Sequence, residues 1–328
     1  MNCALCGVRK ASVFQPAKRR ALCKECFLED VRSRVRAEVE RWRMIEPGDR
    51  VLLALSGGKD SYVLLESIAL YHSPSKLVGL SIVEGIPGYN REEDVAALKE
   101  VAKGYGVEIM VVRVKDFAGL SVHEMVKEAR ARGSPTSACT FCGVARRRIM
   151  SSVAEELGVD KLATAHNLDD EVQTAIMNIL RGDLAGLLKL HPLSKGAGVR
   201  RVKPMRKIYE WESATYAMIR NFPFQRAECM FISEHPTLRA RLRGELYRLE
   251  RESPGALLRA LELLDELLVP GEERVERCSR CGSPTAPSRS ICRLCELLEE
   301  LGMRSPPYTT SPLLSLRGSD RGGERYAP

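Results

Sequence analysis

The middle of the chain alternates short apolar runs with amphipathic stretches. The apolar runs cover residues 51–55, 77–83, 107–112 and 161–165. Continuous apolar runs of this length are typical of strands that are buried on both faces. Segments with helical periodicity follow them, at residues 61–71, 91–104, 121–131, 143–157 and 168–181. This alternation predicts an α/β fold with a parallel sheet covered by helices. Ligands in such sheets bind at the carboxyl ends of the strands.

Helical patterns also flank this region. Residues 27–43 place apolar side chains along one side, and further helices are predicted at 212–221, 237–251 and 255–268. The stretch 195–207 is rich in lysine and arginine, and no strand is predicted there. From about residue 303 the chain carries Pro, Gly, Ser and Arg without periodicity, which predicts a mobile tail.

Eight of the eleven cysteines form two similar sets at the two ends of the chain. Each set consists of two CxxC pairs, and a glycine follows the first pair. Two such turns complete a tetrahedron of thiolates around zinc, with no open position left for chemistry. We therefore predict two structural zinc sites, with ligands Cys3, Cys6, Cys23 and Cys26 at the first and Cys278, Cys281, Cys292 and Cys295 at the second.

These patterns together divide the chain into modules. We predict an N-terminal zinc ribbon over residues 1–30 and a linker helix over 31–47. The catalytic α/β domain spans 48–235, a helical segment 236–270 and a C-terminal zinc ribbon 271–302, and the tail is 303–328.

Composition adds modest constraints. The net charge of +8 on 328 residues is compatible with a polyanionic partner. No apolar run of the length needed to cross a membrane occurs, and the N-terminus lacks a signal-peptide pattern, so we expect a cytoplasmic protein without a membrane partner. Only three glutamines and five asparagines occur, which suggests a thermophilic source. A melting temperature in the mesophile range would contradict that hypothesis.

The strongest single motif is Ser56-Gly57-Gly58-Lys59-Asp60-Ser61, which lies between an apolar strand and a helix. Its glycines let phosphate oxygens approach the backbone, the helix N-terminus favours an anion, and Lys59 adds a positive charge. The motif fits neither GxxxxGK[ST] nor GxGxxG. It resembles the PP-loop of ATP pyrophosphatases, which cleave ATP between the α and β phosphates and adenylate a substrate.

Three cysteines remain in the central region, namely Cys139, Cys142 and Cys229. A loop is predicted to carry Cys139 and Cys142. Three thiolates can hold a 4Fe–4S cluster and leave one iron open. The same residues also suit a persulfide mechanism in which a thiol attacks directly, or a merely structural CxxC with a buried Cys229. The residues alone do not choose among these three.

The combination of motifs resembles the tRNA 2-thiouridine synthetases of the TtuA/Ncs6 group, which are related to the TtcA tRNA thiolases. The shared features are both terminal CxxC sets, the SGGKDS loop, the three central cysteines and the stretch from Thr164 to Asp183. The resemblance implies that ATP, with Mg²⁺, adenylates the C2 oxygen of a tRNA uridine and that sulfur then displaces AMP. It also implies a ubiquitin-like sulfur carrier with a C-terminal thiocarboxylate, and a homodimer.

The resemblance also implies site residues. It assigns Cys139, Cys142 and Cys229 to the cluster, and catalytic roles to Asp170, Arg146 and Lys59. The expected ATP site comprises Ala54, Ser56, Gly57, Gly58, Lys59, Asp60, Ser61, Ile82, Arg146 and Ala165. Arg146 stands where relatives carry lysine, and a guanidinium stabilises charge but is a poor base.

Each of these assignments has a plainer alternative. The acidic residues 169–171 would equally cap the helix that begins near residue 168. Residues 146–148, all arginines, would equally form a solvated helix face or bind tRNA phosphates.

Two other functions and two target uridines remain open. A PP-loop ligase for an amine would not need the central cysteines, and a zinc-ribbon protein without catalysis would not need the SGGKDS loop. The low amide content favours the thermophile target, uridine 54, over the wobble uridine 34.

Overall fold

The computed structural model describes residues 1–89, 92–194, 198–234, 238–271, 276–285 and 289–303. The predicted tail lies outside these residues, except for Met303. Three sheets are present in the described part of the chain. The central sheet has five parallel strands in the order β5-β4-β3-β6-β7, and each end of the chain carries a two-stranded antiparallel sheet. The strands are β1 (Val13–Gln15), β2 (Arg20–Leu22), β3 (Val51–Ala54), β4 (Leu77–Val83), β5 (Glu108–Arg113), β6 (Lys161–Thr164), β7 (Arg200–Val202), β8 (Glu276–Arg277) and β9 (Pro284–Thr285).

Thirteen α-helices lie within the described residues. They are α1 (Lys24–Arg41), α2 (Lys59–Ala69), α3 (Glu92–Gly104), α4 (Val114–Ala118), α5 (Val122–Ala131), α6 (Ala138–Glu156), α7 (Leu168–Leu180), α8 (Leu184–Leu188), α9 (Glu210–Ile219), α10 (Met230–Glu234), α11 (Leu238–Glu252), α12 (Ala256–Leu267) and α13 (Arg293–Glu300). None of these helices has the length and apolar character needed to cross a membrane.

The predicted parallel sheet is confirmed, and it is buried on both faces. Side chains alternate along β3, so that Val51 and Leu53 pack into one core and Leu52 into another. The predicted apolar runs therefore became strands because each supplies side chains to both cores. The fifth strand, β7, was not predicted. It lies at the sheet edge beside β6 in the basic stretch, where Val202 is its buried apolar side chain.

The cysteine-rich ends pack on opposite faces of the sheet. Cys3 and Cys23 join the core that contains α1 and α2, whereas Cys278 and Cys295 join the core on the α6 side. The helix α1 begins inside the predicted N-terminal ribbon and ends at Arg41, within the predicted linker helix of residues 31–47. Each cysteine-rich end therefore packs directly on the α/β domain and shares a hydrophobic core with it.

The placement of Cys139 and Cys142 differs from the sequence-based prediction. Both lie in the first turns of α6, not in a loop that precedes it. The helix starts early because the Ser137 side chain caps it, accepting a hydrogen bond from the Thr140 N–H at 3.3 Å. The three-residue spacing therefore puts both thiols on neighbouring positions of one helix.

Two late helices, α11 and α12, pack on α7 beside the sheet. A buried ion triad holds α12 there: Arg206 contacts Asp265 of α12 at 2.6 Å and Glu38 of α1 at 3.0 Å. Removing one partner of such a group leaves a buried unpaired charge, so the triad fixes where α12 lies. This placement brings α11 next to the carboxyl edge of the sheet.

Candidate functional site

The loop after β3 lies at the point where the strand order reverses. Successive strands run outward from β3 in both directions, with β4 on one side and β6 on the other. The crevice at such a switch point is where open α/β sheets bind ligands. The register pairs Ala54 with Leu80 and with Thr164, so the predicted ATP-site residues Ala54, Ile82 and Ala165 all lie near this edge.

The loop itself is held in shape by its two serines. The Ser61 hydroxyl accepts a hydrogen bond from the Ser56 N–H at 2.8 Å and lies 3.0 Å from the Ser56 hydroxyl. Gly57 has a positive φ of 77°, and α2 begins at Lys59, just beyond Gly58. The N–H groups of the first turn of α2 are thereby directed at the crevice, which is an arrangement that binds phosphate.

The Lys59 ammonium is held between two carboxylates. Its Nζ lies 3.0 Å from Asp60 Oδ2 and 3.0 Å from Oε1 of Glu210, the first residue of α9. Burial lowers the pKa of Lys59, but the two carboxylates more than offset this, so its pKa is raised and the ammonium stays charged. A phosphate group that binds Lys59 therefore competes with Glu210.

The loop after β6 faces the nucleotide loop across the crevice. Asn167 donates a hydrogen bond from its side chain to Asp60 at 3.2 Å. Asn167 also caps α7 in a reciprocal arrangement with Asp170, the third helical residue. The Asp170 carboxylate lies 3.4 Å from Arg239 of α11. Asp170 is thus a helix cap, as the plainer alternative has it, and its catalytic role stays a prediction.

Asp169, which precedes it, is the more buried carboxylate. It is 3% exposed, and its Oδ2 accepts a hydrogen bond from the Glu210 N–H at 2.7 Å. Burial raises the pKa of Asp169 to about 6, and the nearby Glu210 carboxylate adds to the effect. Asp169 therefore ties the start of α9, and with it Glu210, to the start of α7.

The three central cysteines share one environment. Burial raises the pKa of Cys142 to about 12, with further contributions from Glu84 and the other two thiols. Burial and the neighbouring Cys229 also raise the pKa of Cys139. Among the described residues, however, these three do not form a group whose sulfur atoms all lie within 4.8 Å of one another. A four-iron cluster has its ligands on separate iron atoms, so it needs a wider spacing than a single zinc ion does.

Arg146 and Glu84 stand beside these cysteines. Arg146 lies four residues after Cys142 on α6, and its Nε is 3.5 Å from the Glu84 carboxylate, which is nearly fully buried. Burial alone would lower the pKa of Arg146, but the nearby Glu84 and Cys142 raise it by more. The net pKa is therefore raised, and the guanidinium stays charged. Arg146 therefore does not lie on a wholly solvated face, and its charge-stabilising role stays a prediction.

A short segment connects the thiols with the nucleotide loop. The Gln225 N–H donates a hydrogen bond to the Gly57 carbonyl at 3.0 Å. Cys229 follows four residues later, within about 14 Å of chain even if the segment is fully extended. The third cysteine therefore lies within about 14 Å of the residue that is bonded to the loop assigned to ATP.

The terminal cysteines form the two four-thiol groups that the sequence predicted. In each group, all four sulfur atoms lie within 4.8 Å of one another. In the second group, Cys278 and Cys295 are 3.8 Å apart and Cys281 and Cys292 are 3.7 Å apart. Thiolates at about 2.3 Å from a tetrahedral zinc ion would be about 3.8 Å apart, so this group has the size that zinc requires.

The turns in both groups are also alike. The Gly7 N–H donates to the Cys3 carbonyl and the Gly282 N–H to the Cys278 carbonyl, each at 2.9 Å. Both glycines have a φ of 69°, which favours glycine over other residues.

Comparison with known proteins agrees with this geometry. A family model for the PP-loop domain matches residues 29–250. Cytoplasmic tRNA 2-thiolation protein 1 of Oryza sativa subsp. japonica is 32% identical over 337 residues, which cover 99% of this chain and 90% of the relative. The chain belongs to the PP-loop family of tRNA 2-thiolation proteins. The family resemblance predicted from the motifs is therefore confirmed.

Other members and a solved structure support the same family. Cytoplasmic tRNA 2-thiolation protein 1 of Arabidopsis thaliana is 33% identical over 316 residues, with 93% of this chain and 86% of the relative covered. The U34-tRNA thiolase NcsA from Methanococcus maripaludis, solved with its 4Fe–4S cluster, shares the fold with a TM-score of 0.75. It is 29% identical and covers 92% of this chain and 96% of its own.

The structure also brings in residues that the sequence did not single out. Glu210 contacts Lys59, Glu84 contacts Arg146, and Arg239 contacts Asp170. The first of these pairs is separated by 151 positions, so no local periodicity could have indicated it. For Glu84 a signal existed, since it follows directly after the strand that ends at Val83.

Proposed function

We propose that this protein is an ATP-dependent tRNA uridine 2-sulfurtransferase that works in the crevice between the loops after β3 and β6. The carrying observation is the Gln225–Gly57 hydrogen bond, which anchors the segment that ends at Cys229 to the nucleotide loop. This bond limits how far the proposed sulfur-handling group can lie from the proposed adenylating loop.

In the first step, the C2 oxygen of the uridine attacks the α-phosphorus of ATP, and pyrophosphate leaves. The N–H groups at the start of α2 bind the phosphates, and Lys59 turns from Glu210 toward them. Arg146 stabilises the negative charge that develops, in place of the lysine found in relatives. Mg²⁺ would accompany the triphosphate.

In the second step, sulfur adds to C2, the bond from C2 to the AMP oxygen breaks, and C=S replaces C=O. Cys139, Cys142 and Cys229 would hold a 4Fe–4S cluster, which supplies an open iron position for the sulfur when it is bound. The proposal is supported by their spacing, since the three thiols do not close on a single point as the terminal groups do. Asp170, next to Asn167 and Asp60 across the crevice, is the proposed catalytic carboxylate.

The two four-cysteine groups are proposed to hold structural zinc. Each offers four thiolates at the spacing of one ion, and each lies in the core on its own side of the sheet. Their role would be to fold and dock the ends of the chain. We propose the same modules as the sequence predicted: two zinc ribbons, a linker helix, a catalytic domain and a helical segment.

The target is proposed to be the wobble uridine 34. The sequence favoured uridine 54 on amide content alone, but the structural relative NcsA is a U34-tRNA thiolase. By the same similarity, the protein is proposed to act in the cytoplasm, since its relatives are cytoplasmic tRNA 2-thiolation proteins. The thiocarboxylated ubiquitin-like carrier and the homodimer remain proposals from the sequence.

Mass spectrometry of tRNA from a deletion strain tests this proposal. We expect loss of 2-thiouridine at position 34 and its return when the wild-type gene is restored. Loss at position 54 instead would contradict the proposed target but not the chemistry. Unchanged thiolation at both positions would contradict the function itself.

A further inference from the structure

A cavity of about 1020 Å³ opens between the N-terminal end of the chain and the helices α11 and α12. Its walls come from residues 14–18, from α1, from residues 207–212, and from the end of α11 and the start of α12. It contains none of the nucleotide-loop residues or central cysteines, so the proposed chemistry gives it no role. All of its lining residues lie in the described part of the chain.

Aromatic side chains are concentrated in this cavity. They make up 5% of the chain, yet four of them line it: Phe14, Tyr209, Trp211 and Tyr247. Phe14 is 58% exposed and Tyr247 39% exposed, which is unusual for large apolar side chains in a concave site. Unpaired nucleic-acid bases stack on such rings, irrespective of their sequence.

The charges around the rings favour an anion. Three arginines that line the cavity, Arg41, Arg251 and Arg259, have no carboxylate partner among the described residues. Arg41 lies over the Trp42 ring, and Arg259 donates hydrogen bonds to the Pro254 carbonyl and the Ser253 hydroxyl. The acidic lining residues are already engaged with the protein. Glu212 accepts hydrogen bonds from Arg34 and Gln15, and Glu250 accepts one from the Leu257 N–H.

A row of side chains along α11 connects the cavity with the nucleotide site. Arg239, Arg243, Tyr247 and Arg251 follow one another at four-residue spacing and so lie along one side of the helix. Arg239 contacts Asp170, Arg243 contacts Glu210 at 3.3 Å, and the last two line the cavity. The row spans about 18 Å from its first to its last residue.

We propose that this cavity binds an unpaired nucleotide of the tRNA while the target uridine lies in the crevice at the other end of the row. The base would stack on the exposed rings, and Arg41, Arg251 and Arg259 would contact phosphates. This inference rests on the proposed function, since it names where a second part of the same substrate docks. Aromatic rings combined with guanidinium groups that have no carboxylate partner favour RNA over the tail of a carrier protein.

The test compares matched pairs of variants in the full-length protein purified anaerobically. Arg251→Ala changes the cavity, whereas Arg248→Ala removes the same charge from the same helix outside it. Phe14→Ala removes an exposed ring from the cavity, whereas Leu5→Ala removes an exposed apolar side chain elsewhere at the N-terminal end. Binding of unmodified tRNA is measured by fluorescence anisotropy over a range of salt concentrations.

We expect Phe14→Ala to weaken tRNA binding roughly tenfold or more, because a stacked base is lost. Arg251→Ala should reduce the slope of log Kd against log salt by about 1, because one phosphate contact is lost. Arg248→Ala and Leu5→Ala should match the wild type. If the cavity variants bind tRNA as tightly as their controls, the inference is wrong.

A second readout separates RNA from a peptide. The chain has two tryptophans, so a Trp42→Phe background leaves Trp211 in the cavity as the sole indole. A short oligouridylate should quench its fluorescence, and Phe14→Ala should weaken that effect. Quenching by the C-terminal peptide of a ubiquitin-like protein but not by the oligonucleotide would overturn the inference in favour of a protein partner. If the wild type binds no tRNA at all, the proposed function fails together with the inference, and this result differs from a failure of the cavity alone.

Discussion

CxxC pairs occur both at the ends of the chain and in its centre, but the fold brings the terminal pairs together and leaves the central pair without a second one. At each end, two CxxC turns close on one point, with all four sulfur atoms within 4.8 Å. In the centre, one CxxC lies in the first turns of α6, and its only further thiol arrives on a separate segment tied to the nucleotide loop. A closed set of four thiolates leaves a metal no free position, whereas three leave one.

The surroundings differ in the same sense. Cys142 and Cys229 pack against the same core as the C-terminal group, but Cys142 also stands beside the buried Glu84 carboxylate and its partner Arg146. Ion pairs of this kind beside thiols are typical of sites where charge develops during a reaction. The N-terminal group has charged neighbours too, since Arg9 lies 3.2 Å from Cys23 Sγ and pairs with Glu25, but that pair is largely exposed whereas Glu84 is buried. Burial of the charge, together with the number of thiols, distinguishes the central site from the terminal ones.

The largest effect is expected when one of the four cysteines of a terminal group is replaced. Cys281→Ser should reduce the zinc content from two ions per chain to one and unfold the C-terminal module locally. Structural zinc contributes on the order of 10 kcal/mol to the folding of such small modules. Metal analysis and limited proteolysis measure both changes. ATP binding should persist in part, and a variant that keeps two zinc ions would contradict the closed-site assignment.

The matched change in the centre should do the opposite. Cys142→Ser should leave both zinc ions in place but lower tRNA thiolation by roughly a thousandfold or more, since removing one member of a catalytic unit costs about as much as removing the unit. The anaerobically purified wild type should be brown and the variant colourless. A colourless wild type that is fully active would instead favour the persulfide alternative that the sequence left open.

Smaller effects are expected for the two residues of the ion pair at the nucleotide loop, Lys59 and Glu210. Lys59→Ala should slow pyrophosphate release about a hundredfold, the size typical for loss of one charge-stabilising group. Glu210→Gln should lower the Kd for ATP severalfold, because Lys59 loses a carboxylate that competes with the phosphates. Isothermal titration with a non-hydrolysable ATP analogue measures the second change. Weaker binding by Glu210→Gln would show that Glu210 orients Lys59 rather than competing for it.

The smallest effect concerns stability near the crevice. The pKa of Asp169 is raised to about 6 from a usual value of 3.8, so the folded state holds its proton more tightly than the unfolded state. The free energy of unfolding should therefore fall as pH rises from about 4 to about 6. Asp169→Asn should raise it by about 1–3 kcal/mol at pH 7.5 and by nothing at pH 4, as measured by urea denaturation. An equal effect at both pH values would contradict this.

The sequence predicted those features that depend on neighbours along the chain. The four apolar runs became strands, the SGGKDS loop joined β3 to α2, and both terminal CxxC sets closed. The fifth strand escaped prediction because Arg200 and Arg201 give it no apolar alternation, and it is held by pairing with β6. The loop predicted for Cys139 and Cys142 is instead the start of α6, because the Ser137 side chain caps the helix just before them.

The parts of the site that came only from the structure are contacts between distant residues. Glu210 reaches Lys59 from a helix that begins after the fifth strand, and Arg239 reaches Asp170 from a helix packed on α7. Hydrophobic periodicity reports which face of an element is buried but not which element packs against it. The ionic partners of Lys59 and Asp170 therefore could not be predicted from the chain alone.

The most direct test of the central claim is the stoichiometry of one reaction. The anaerobically purified protein is incubated with ATP labelled at the α and γ phosphates, unmodified tRNA and a sulfide source, and nucleotides and tRNA are analysed together. We predict one AMP and one pyrophosphate for each 2-thiouridine formed, and no turnover of tRNA with Cys142→Ser. ADP with phosphate as the products, or AMP release without any sulfur entering the tRNA, would contradict the account.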